Sequence, residues 1–255
     1  MAVIQEELRP LASAAVALPA IRTSARRTGV WFAAVGWVTL TLMWITGSAD
    51  VFGHDQGRLS AILAIGLFLV GWTVMVAAMM LPSTLPTLKR VDETWGARGS
   101  MAPARFMGGY FLAWGAFGAA AFAGDGILHY LVDDVSWLAQ RPSLIAGGVA
   151  MFSGAAELLG RTPPPTLPKV RAGAGSFALG NAHAVDRIRR CWPLMLFAMA
   201  VGMSNPVWMV GLTLVMALEL RPRASRALRL AGLPLFGLGV AVIVEPAWLP
   251  VLLGG

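Results

Sequence analysis

Cysteine and charged residues are scarce in this chain. Cys191 is the one cysteine among 255 residues, which excludes an internal disulfide framework and a cluster of cysteine thiolates within one chain. Only 13% of the residues are charged, whereas 57% are hydrophobic. A mean hydropathy of +0.68 is too apolar for a water-soluble domain, so we expect an integral membrane protein.

Motifs of the common nucleotide-binding and hydrolytic proteins are missing as well. The chain has no phosphate-binding loop, no Rossmann glycine fingerprint, no nucleophile elbow and no His-Glu-x-x-His helix. Nucleotide-driven pumping is therefore not expected, and a non-enzymatic role is favoured over an enzymatic one. The net charge of +7 would suggest nucleic acid in a soluble protein, but here Lys and Arg flank the apolar runs. They predict membrane topology and contacts with phospholipids, and no nucleic-acid partner.

Six hydrophobic segments predict an all-α fold, a polytopic transmembrane helical bundle. They cover residues 30–46, 59–81, the run from Phe106 to Asp133, 143–159, 192–218 and 230–253. Pro82 is expected to end the second helix, and residues 169–190 are expected to form an internal loop. By the positive-inside rule, residues 1–29 are expected to form a cytoplasmic tail, and residues 30–253 are expected to form a single transmembrane helical domain.

The segment 192–218 has two interpretations, because Gly202-Met203-Ser204-Asn205-Pro206 interrupts it. A single kinked span would put the following arginines outside, against the positive-inside rule. A re-entrant hairpin that turns at Ser204-Asn205 would keep both basic flanks inside. The kinked span is slightly favoured, because the rule is statistical and two full spans do not fit.

Asp125, His129 and Asp133 follow one another at four-residue intervals, so on a helix they share one face. Asp125 lies roughly 28 Å along a helix from Phe106, near the outer surface of a bilayer core of about 30 Å. The charge pattern places the loop with His54-Asp55 on the same side. We expect these residues to converge on one metal ion, although the spacing alone fits a water-exposed helix end equally well.

Methionines form two further helical stripes. The stripe on the second segment lies between Trp72 and Ser83. Thioethers suit Cu(I), but in a membrane helix such a stripe more often serves packing, which is the interpretation we favour. The candidate thioether ligands are Met75, Met79, Met80, Met195 and Met199, and His183 and Cys191 are further candidate ligands.

A series of sequence landmarks extends from about residue 50 to about residue 240. It comprises His54-Asp55, Gly71-Trp72, the string from Ala77 to Pro82 and Ser83, Gly124-Asp125 with His129 and Asp133, Gly180 with His183, Cys191-Trp192, Asn205, Trp208-Met209 and Glu219. In these residues the chain resembles a bacterial family of predicted metal-binding integral membrane proteins, sometimes labelled copper chaperones. The Ala-Met-Met-Leu-Pro-Ser string is the most specific landmark.

The chain departs from that family in its cysteines. Residues 163–169 contain no cysteine where family members commonly carry two, and Arg187 and Arg190 stand where others would be expected. The resemblance therefore implies an external Asp/His metal site and argues against a cytoplasmic thiolate site.

These patterns lead us to expect a membrane protein that handles copper, as a chaperone or in delivery or transport, with zinc as the second metal. Imidazole with carboxylates suits Cu(II) or Zn(II). One alternative is a metal-dependent membrane oxidoreductase or a subunit of one, since an Asp-x-x-x-His helix end resembles the ligand pattern of copper-containing methane and ammonia monooxygenases. Another is a structural or assembly partner of a membrane complex. Expected partners are membrane lipids and a membrane protein client or complex.

Overall fold

Helices make up nearly all of the part of the chain that the structure describes. The computed structural model describes residues 18–46, 60–95, 101–159, 175–201, 206–218 and 225–250. The helices are α1 (Leu18–Ile45), α2 (Ala61–Trp95), α3 (Ala102–Asp133), α4 (Ser136–Ala139), α5 (Pro142–Leu159), α6 (Ser176–Ala200), α7 (Pro206–Leu218) and α8 (Ser225–Val244), followed by a 3-10 turn at Pro246–Trp248. No strand occurs in these ranges, which confirms the all-α prediction for them.

Within the described ranges, four helices are long and apolar enough to cross a membrane. They are Arg27–Ile45, Ala61–Trp95, Ala102–Asp133 and Pro142–Leu159, and two shorter apolar helices follow at Val207–Ala217 and Leu230–Val244. Each of the six predicted hydrophobic segments therefore contains an apolar helix or part of one.

Two predicted boundaries were wrong. Pro82 does not end α2, which continues with Pro82 and Pro86 inside it to Trp95. The predicted internal loop 169–190 is helical from Ser176 onwards. Helix α1 begins at Leu18, and the assignment of residues 1–29 to a cytoplasmic tail stays a prediction. In α6, the buried positions include Gly180, Ala184, Arg187 and Cys191, a helical stripe that is obscured in the sequence by its small and basic members.

Helix α2 lies antiparallel to its neighbours α1 and α3. On the α1 side, Gly29 faces Leu85 and Gly36 faces Ala78. On the α3 side, Thr84 contacts Tyr110, whereas Trp72, twelve residues earlier, contacts Trp114 and Gly118. The bundle therefore has a proximal end, where α1 and α3 begin and α2 ends, and a distal end, where α1 and α3 end and α2 begins.

Helix α6 begins at the proximal end, beside the start of α3. Gly180 leaves no room for a side chain against the Phe106 backbone, and Gly109 is equally close to the carbonyl of Phe177. Phe106 and Gly180 each lie about one turn into their helices, so both helices start together.

Helices α5 and α8 pack antiparallel through a seam of four glycines. Gly147 faces Gly239, and Gly154 faces Gly232, so both helices contribute glycines seven residues apart. A seven-residue repeat keeps one seam in contact along two helices, and the missing side chains let the backbones approach closely. Since α5 runs from the distal to the proximal end, α8 must start at the proximal end.

This geometry decides between the two interpretations of 192–218. The chain leaves the proximal end in α6 and has returned to it by Ser225, so the slightly favoured single kinked span is wrong and the hairpin describes the path. Pro206 opens α7, a position where its missing N–H costs nothing. Residues 202–205, where the hairpin is predicted to turn, lie outside the described residues.

The glycine seam predicts different outcomes for two alanine substitutions in α8. A Cβ atom at residue 239 would lie 2.5 Å from the Gly147 carbonyl oxygen, whereas a Cβ at residue 237 would meet nothing within 4 Å. Gly239→Ala should lower the free energy of unfolding by about 1–3 kcal/mol through overpacking. Gly237→Ala should leave it unchanged or slightly higher, because alanine is the better helix former. Thermal unfolding in detergent measures both, and equal midpoints would contradict the seam.

Candidate functional site

The distal part of α3 pairs Asp125 with His129. Because α3 remains helical to Asp133, the four-residue spacing puts the two side chains one turn apart on the same face. The Nδ1 atom of His129 lies 3.3 Å from Oδ2 of Asp125 and 3.0 Å from the Asp125 carbonyl oxygen. The imidazole is 58% exposed, whereas the carboxylate is 19% exposed. Asp125 is therefore the more buried partner, and the His129 ring extends toward the surface.

These contacts favour one tautomer of His129. Both acceptors lie at Nδ1, so a proton on that nitrogen donates to Asp125 and the lone pair stands on Nε2. Histidines that bind metals are usually oriented in this way, by a carboxylate or carbonyl on the nitrogen that does not bind. Asp125 is therefore suited to orient the His129 ring, and less suited to act as a second ligand of the same ion.

Asp133, the third residue on the predicted face with Asp125 and His129, does not complete a metal-binding cluster. Asp133 is exposed at the last position of α3, and the described ranges contain no group of three or more His, Cys, Asp or Glu residues that could hold a metal ion. His54 and Asp55 lie outside the described residues. The helix ends on either side of them, Thr46 and Ser60, are at the distal end, where His129 also lies. The five-residue external site stays a prediction.

The candidate methionines lie in the main hydrophobic core. Met75, Met80 and Met195 have no exposed surface, and Met79 and Met199 are 1% and 5% exposed. They share one cluster with Met209 and Met216 of α7. Their burial agrees with the packing role, and it puts several thioethers in one buried cluster.

The string from Ala77 to Ser83 has a structural role at Pro82. Proline has no N–H, so the carbonyl of Ala78 loses the donor that a regular helix would provide four residues later. The indole N–H of Trp37 on α1 donates to that carbonyl instead, at 3.0 Å. Gly36 allows α1 to approach Ala78 closely enough for this contact. The proline is therefore accommodated inside α2 because a neighbouring helix supplies the missing donor.

Ser83 connects α2 with α6 through a buried arginine. Nη2 of Arg187 donates to Oγ of Ser83 at 2.9 Å, and the two residues are 4% and 8% exposed. The Ser83 hydroxyl in turn donates to the Met80 carbonyl at 2.7 Å. The sequence does not single out Arg187 as a site residue, because a basic residue in a predicted internal loop is expected to be solvated. The signal that identifies it is the buried stripe of α6.

His183 and Cys191 lie on either side of Arg187 along α6. Burial, and then the Arg187 guanidinium, lower the pKa of His183 to about 4, so the imidazole is neutral at pH 7. Its ring contacts Phe106 and Tyr110. The thiol of Cys191 donates to the Arg187 carbonyl at 3.1 Å. Eight residues of helix separate His183 from Cys191 by roughly 12 Å, so these two candidates cannot bind the same ion.

The remaining landmark residues either pack inside the bundle or lie outside the described residues. The indole N–H of Trp72 donates to the Trp114 carbonyl at 2.9 Å, and its ring fills the space beside Gly118. Met209 is buried in α7. Asn205 and Glu219 lie outside the described residues.

A family model described as PpoB2: Copper chaperone matches residues 69–242. The chain belongs to this family. The matched range includes most of α2, all of α3 with the Asp125–His129 pair, and Arg187 with its serine partner. Neither the curated proteins nor the solved structures contain a significant match to the chain.

The Trp37 contact can be tested by a double-mutant cycle with Pro82. Trp37→Phe should lower the free energy of unfolding by about 1–3 kcal/mol, because it leaves the buried Ala78 carbonyl without this donor. In a Pro82→Ala background the new backbone N–H can donate to the Ala78 carbonyl. Trp37→Phe should then lower the free energy of unfolding by a smaller amount. Chemical unfolding of the four proteins gives the coupling, and an identical cost in both backgrounds would contradict the account.

Proposed function

We propose that this protein is a copper-handling membrane protein that takes up the metal at the distal end of its bundle. The proposal depends mainly on one observation: the Asp125–His129 pair, in which the Asp125 carboxylate and carbonyl oxygens lie at Nδ1 of the ring, is within the range matched by a family described as a copper chaperone. Four helices long and apolar enough to cross a membrane support the membrane location.

The exposure of His129 suits a protein that passes a metal on. A single oriented imidazole on an exposed helix end leaves most coordination positions open to other ligands. Imidazole and carboxylate donors prefer Cu(II) or Zn(II), and His54 and Asp55 are the proposed additional donors in this chain. A client protein can replace such ligands one at a time, which a closed four-ligand site would prevent.

The distribution of charge supports a cytoplasmic proximal end. Among the described residues, the proximal parts of α1, α2 and α3 carry Arg27, Lys89, Arg90 and Arg105 against Asp92 and Glu93. The distal end carries four acids and one arginine, namely Asp125, Asp133, Asp134, Glu245 and Arg141. By the positive-inside rule, the Asp125–His129 pair would then face the outside of the bacterial inner membrane.

Copper titration of metal-free, full-length protein in detergent tests this function. Wild type should bind about one Cu(II) equivalent at the distal end, and His129→Ala should weaken that binding at least tenfold, because it removes the proposed ligand. Asp125→Ala should weaken it by about 10- to 100-fold, the usual effect of losing an orienting partner. Asp134→Ala, an exposed acid at the end of the same helix, is the matched control and should bind like wild type.

Other outcomes point to other functions. Binding that is unchanged in His129→Ala and in the His54→Ala, His129→Ala double variant would reject the external site. A wild-type protein that binds neither Cu(II) nor Cu(I) would reject copper handling altogether.

A further inference from the structure

The seam between α5 and α8 opens into a cleft at the distal end of the bundle. Gly147 of α5 lies against Gly239 and Ile243 of α8. Ser143 stands one turn before Gly147, and α8 ends one residue after Ile243, so the paired glycines stop here. The chain continues in the 3-10 turn Pro246–Trp248. A cavity of about 250 Å³ is left between these segments, and we call it the distal cleft.

The two walls of the distal cleft differ in polarity. The start of α5 provides a polar wall with Arg141 and Ser143. The apolar wall consists of Leu144, Ile243, Pro246 and Leu249. Pockets that hold a drug-sized molecule have roughly 300–1,000 Å³, so this smaller cleft suits one polar part of a larger, amphipathic ligand.

The polar groups of the distal cleft are available to a ligand. Ser143 is 6% exposed, and its hydroxyl has no hydrogen-bond partner among the described residues. Arg141 is exposed, and no acid in the described ranges lies within ion-pair distance of it. The N–H of Ser143, at the second position of α5, also lacks an acceptor within its helix. Together these groups form a donor set that suits phosphate oxygens.

Two tryptophans indicate that the distal cleft lies at the depth of lipid headgroups. Trp137 lies four residues before Arg141 and is 60% exposed, and Trp248 lies within the 3-10 turn and is 50% exposed. Exposed tryptophans concentrate at the boundary between acyl chains and headgroups. A phosphate on a lipid, with an acyl chain beside the apolar wall, therefore fits this position better than a soluble phosphate.

The charges of the distal end distinguish between lipid headgroups. Arg141 is the one arginine or lysine that the described residues place there, among four acids, and Glu245 directly precedes Pro246 of the apolar wall. These acids repel a headgroup with net negative charge, whereas they attract an ammonium group. Phosphatidylethanolamine carries one phosphate and one ammonium, so it matches both the arginine and the acids.

We propose that the distal cleft binds the headgroup of one phosphatidylethanolamine molecule. Arg141 and Ser143 donate to its phosphate, its ammonium faces the acids of the distal end, and an acyl chain lies along Ile243 and Leu249. The bound lipid links the start of α5 with the 3-10 turn after α8. This inference uses the membrane location proposed above and is independent of copper.

Native mass spectrometry tests the site, on delipidated full-length protein in a neutral detergent that is titrated with phosphatidylethanolamine. Wild type should bind one lipid more tightly than any further ones. Arg141→Gln should weaken this binding by about tenfold and Ser143→Ala by about threefold, because they remove a charge-assisted and a neutral donor. Arg141→Lys keeps the charge and should bind with intermediate affinity. Arg105→Gln, an exposed arginine near the start of α3, is the matched control and should bind like wild type.

Three other probes identify what the distal cleft recognises. Phosphatidylglycerol, which has a phosphate and a net negative charge, should bind more weakly than phosphatidylethanolamine, and tighter binding would reject the assigned headgroup. Diacylglycerol, which has no phosphate, should not displace the lipid, and displacement would reject the phosphate contact. Inorganic phosphate should not displace it either, and displacement at concentrations equal to those of the lipid would reject a lipid ligand.

Folding and copper binding are measured on the same variants. Ser143→Ala should keep the wild-type midpoint of thermal unfolding, because the hydroxyl makes no hydrogen bond to the described residues. Arg141→Gln should bind Cu(II) like wild type, and His129→Ala should bind the lipid like wild type. Equal lipid affinity in wild type and Arg141→Gln would overturn the lipid site without affecting the copper proposal, and a failed copper titration would leave the lipid site standing.

Discussion

A charged guanidinium in an apolar core has to be compensated, and the hydrogen bond from Arg187 to Ser83 is one of the contacts that do so. The bond links α6 with α2 at Ser83, whose hydroxyl in turn donates to the Met80 carbonyl. It therefore joins the buried stripe of α6 to the proline-containing part of α2.

Around this link, the bundle is held together by small residues and by side chains that satisfy backbone groups. Glycines bring α5 against α8 and α3 against α6. Trp37 and Trp72 donate to carbonyls of neighbouring helices. In an apolar environment, an unsatisfied carbonyl is costly, so these indole contacts also select the neighbours that supply them. The string from Ala77 to Ser83 thus contributes to helix assembly, through the Ala78 carbonyl and the Ser83 hydroxyl.

The candidate copper site lies at the exposed distal end of the bundle. The Asp125–His129 pair offers nitrogen and oxygen donors there, which suits rapid exchange of Cu(II) in our proposal.

Composition and residue spacing alone determined the all-α class, the positions of the apolar helices, the Asp125–His129 pairing and the burial of the methionines, because these depend on local periodicity and hydrophobicity. Only the tertiary structure decided that α2 continues through Pro82, that α6 replaces a predicted loop and that 192–218 turns back. A donor from Trp37, a glycine contact with α3 and a seam between α5 and α8 cause these outcomes. Each joins residues far apart in the chain, so no local pattern contains it.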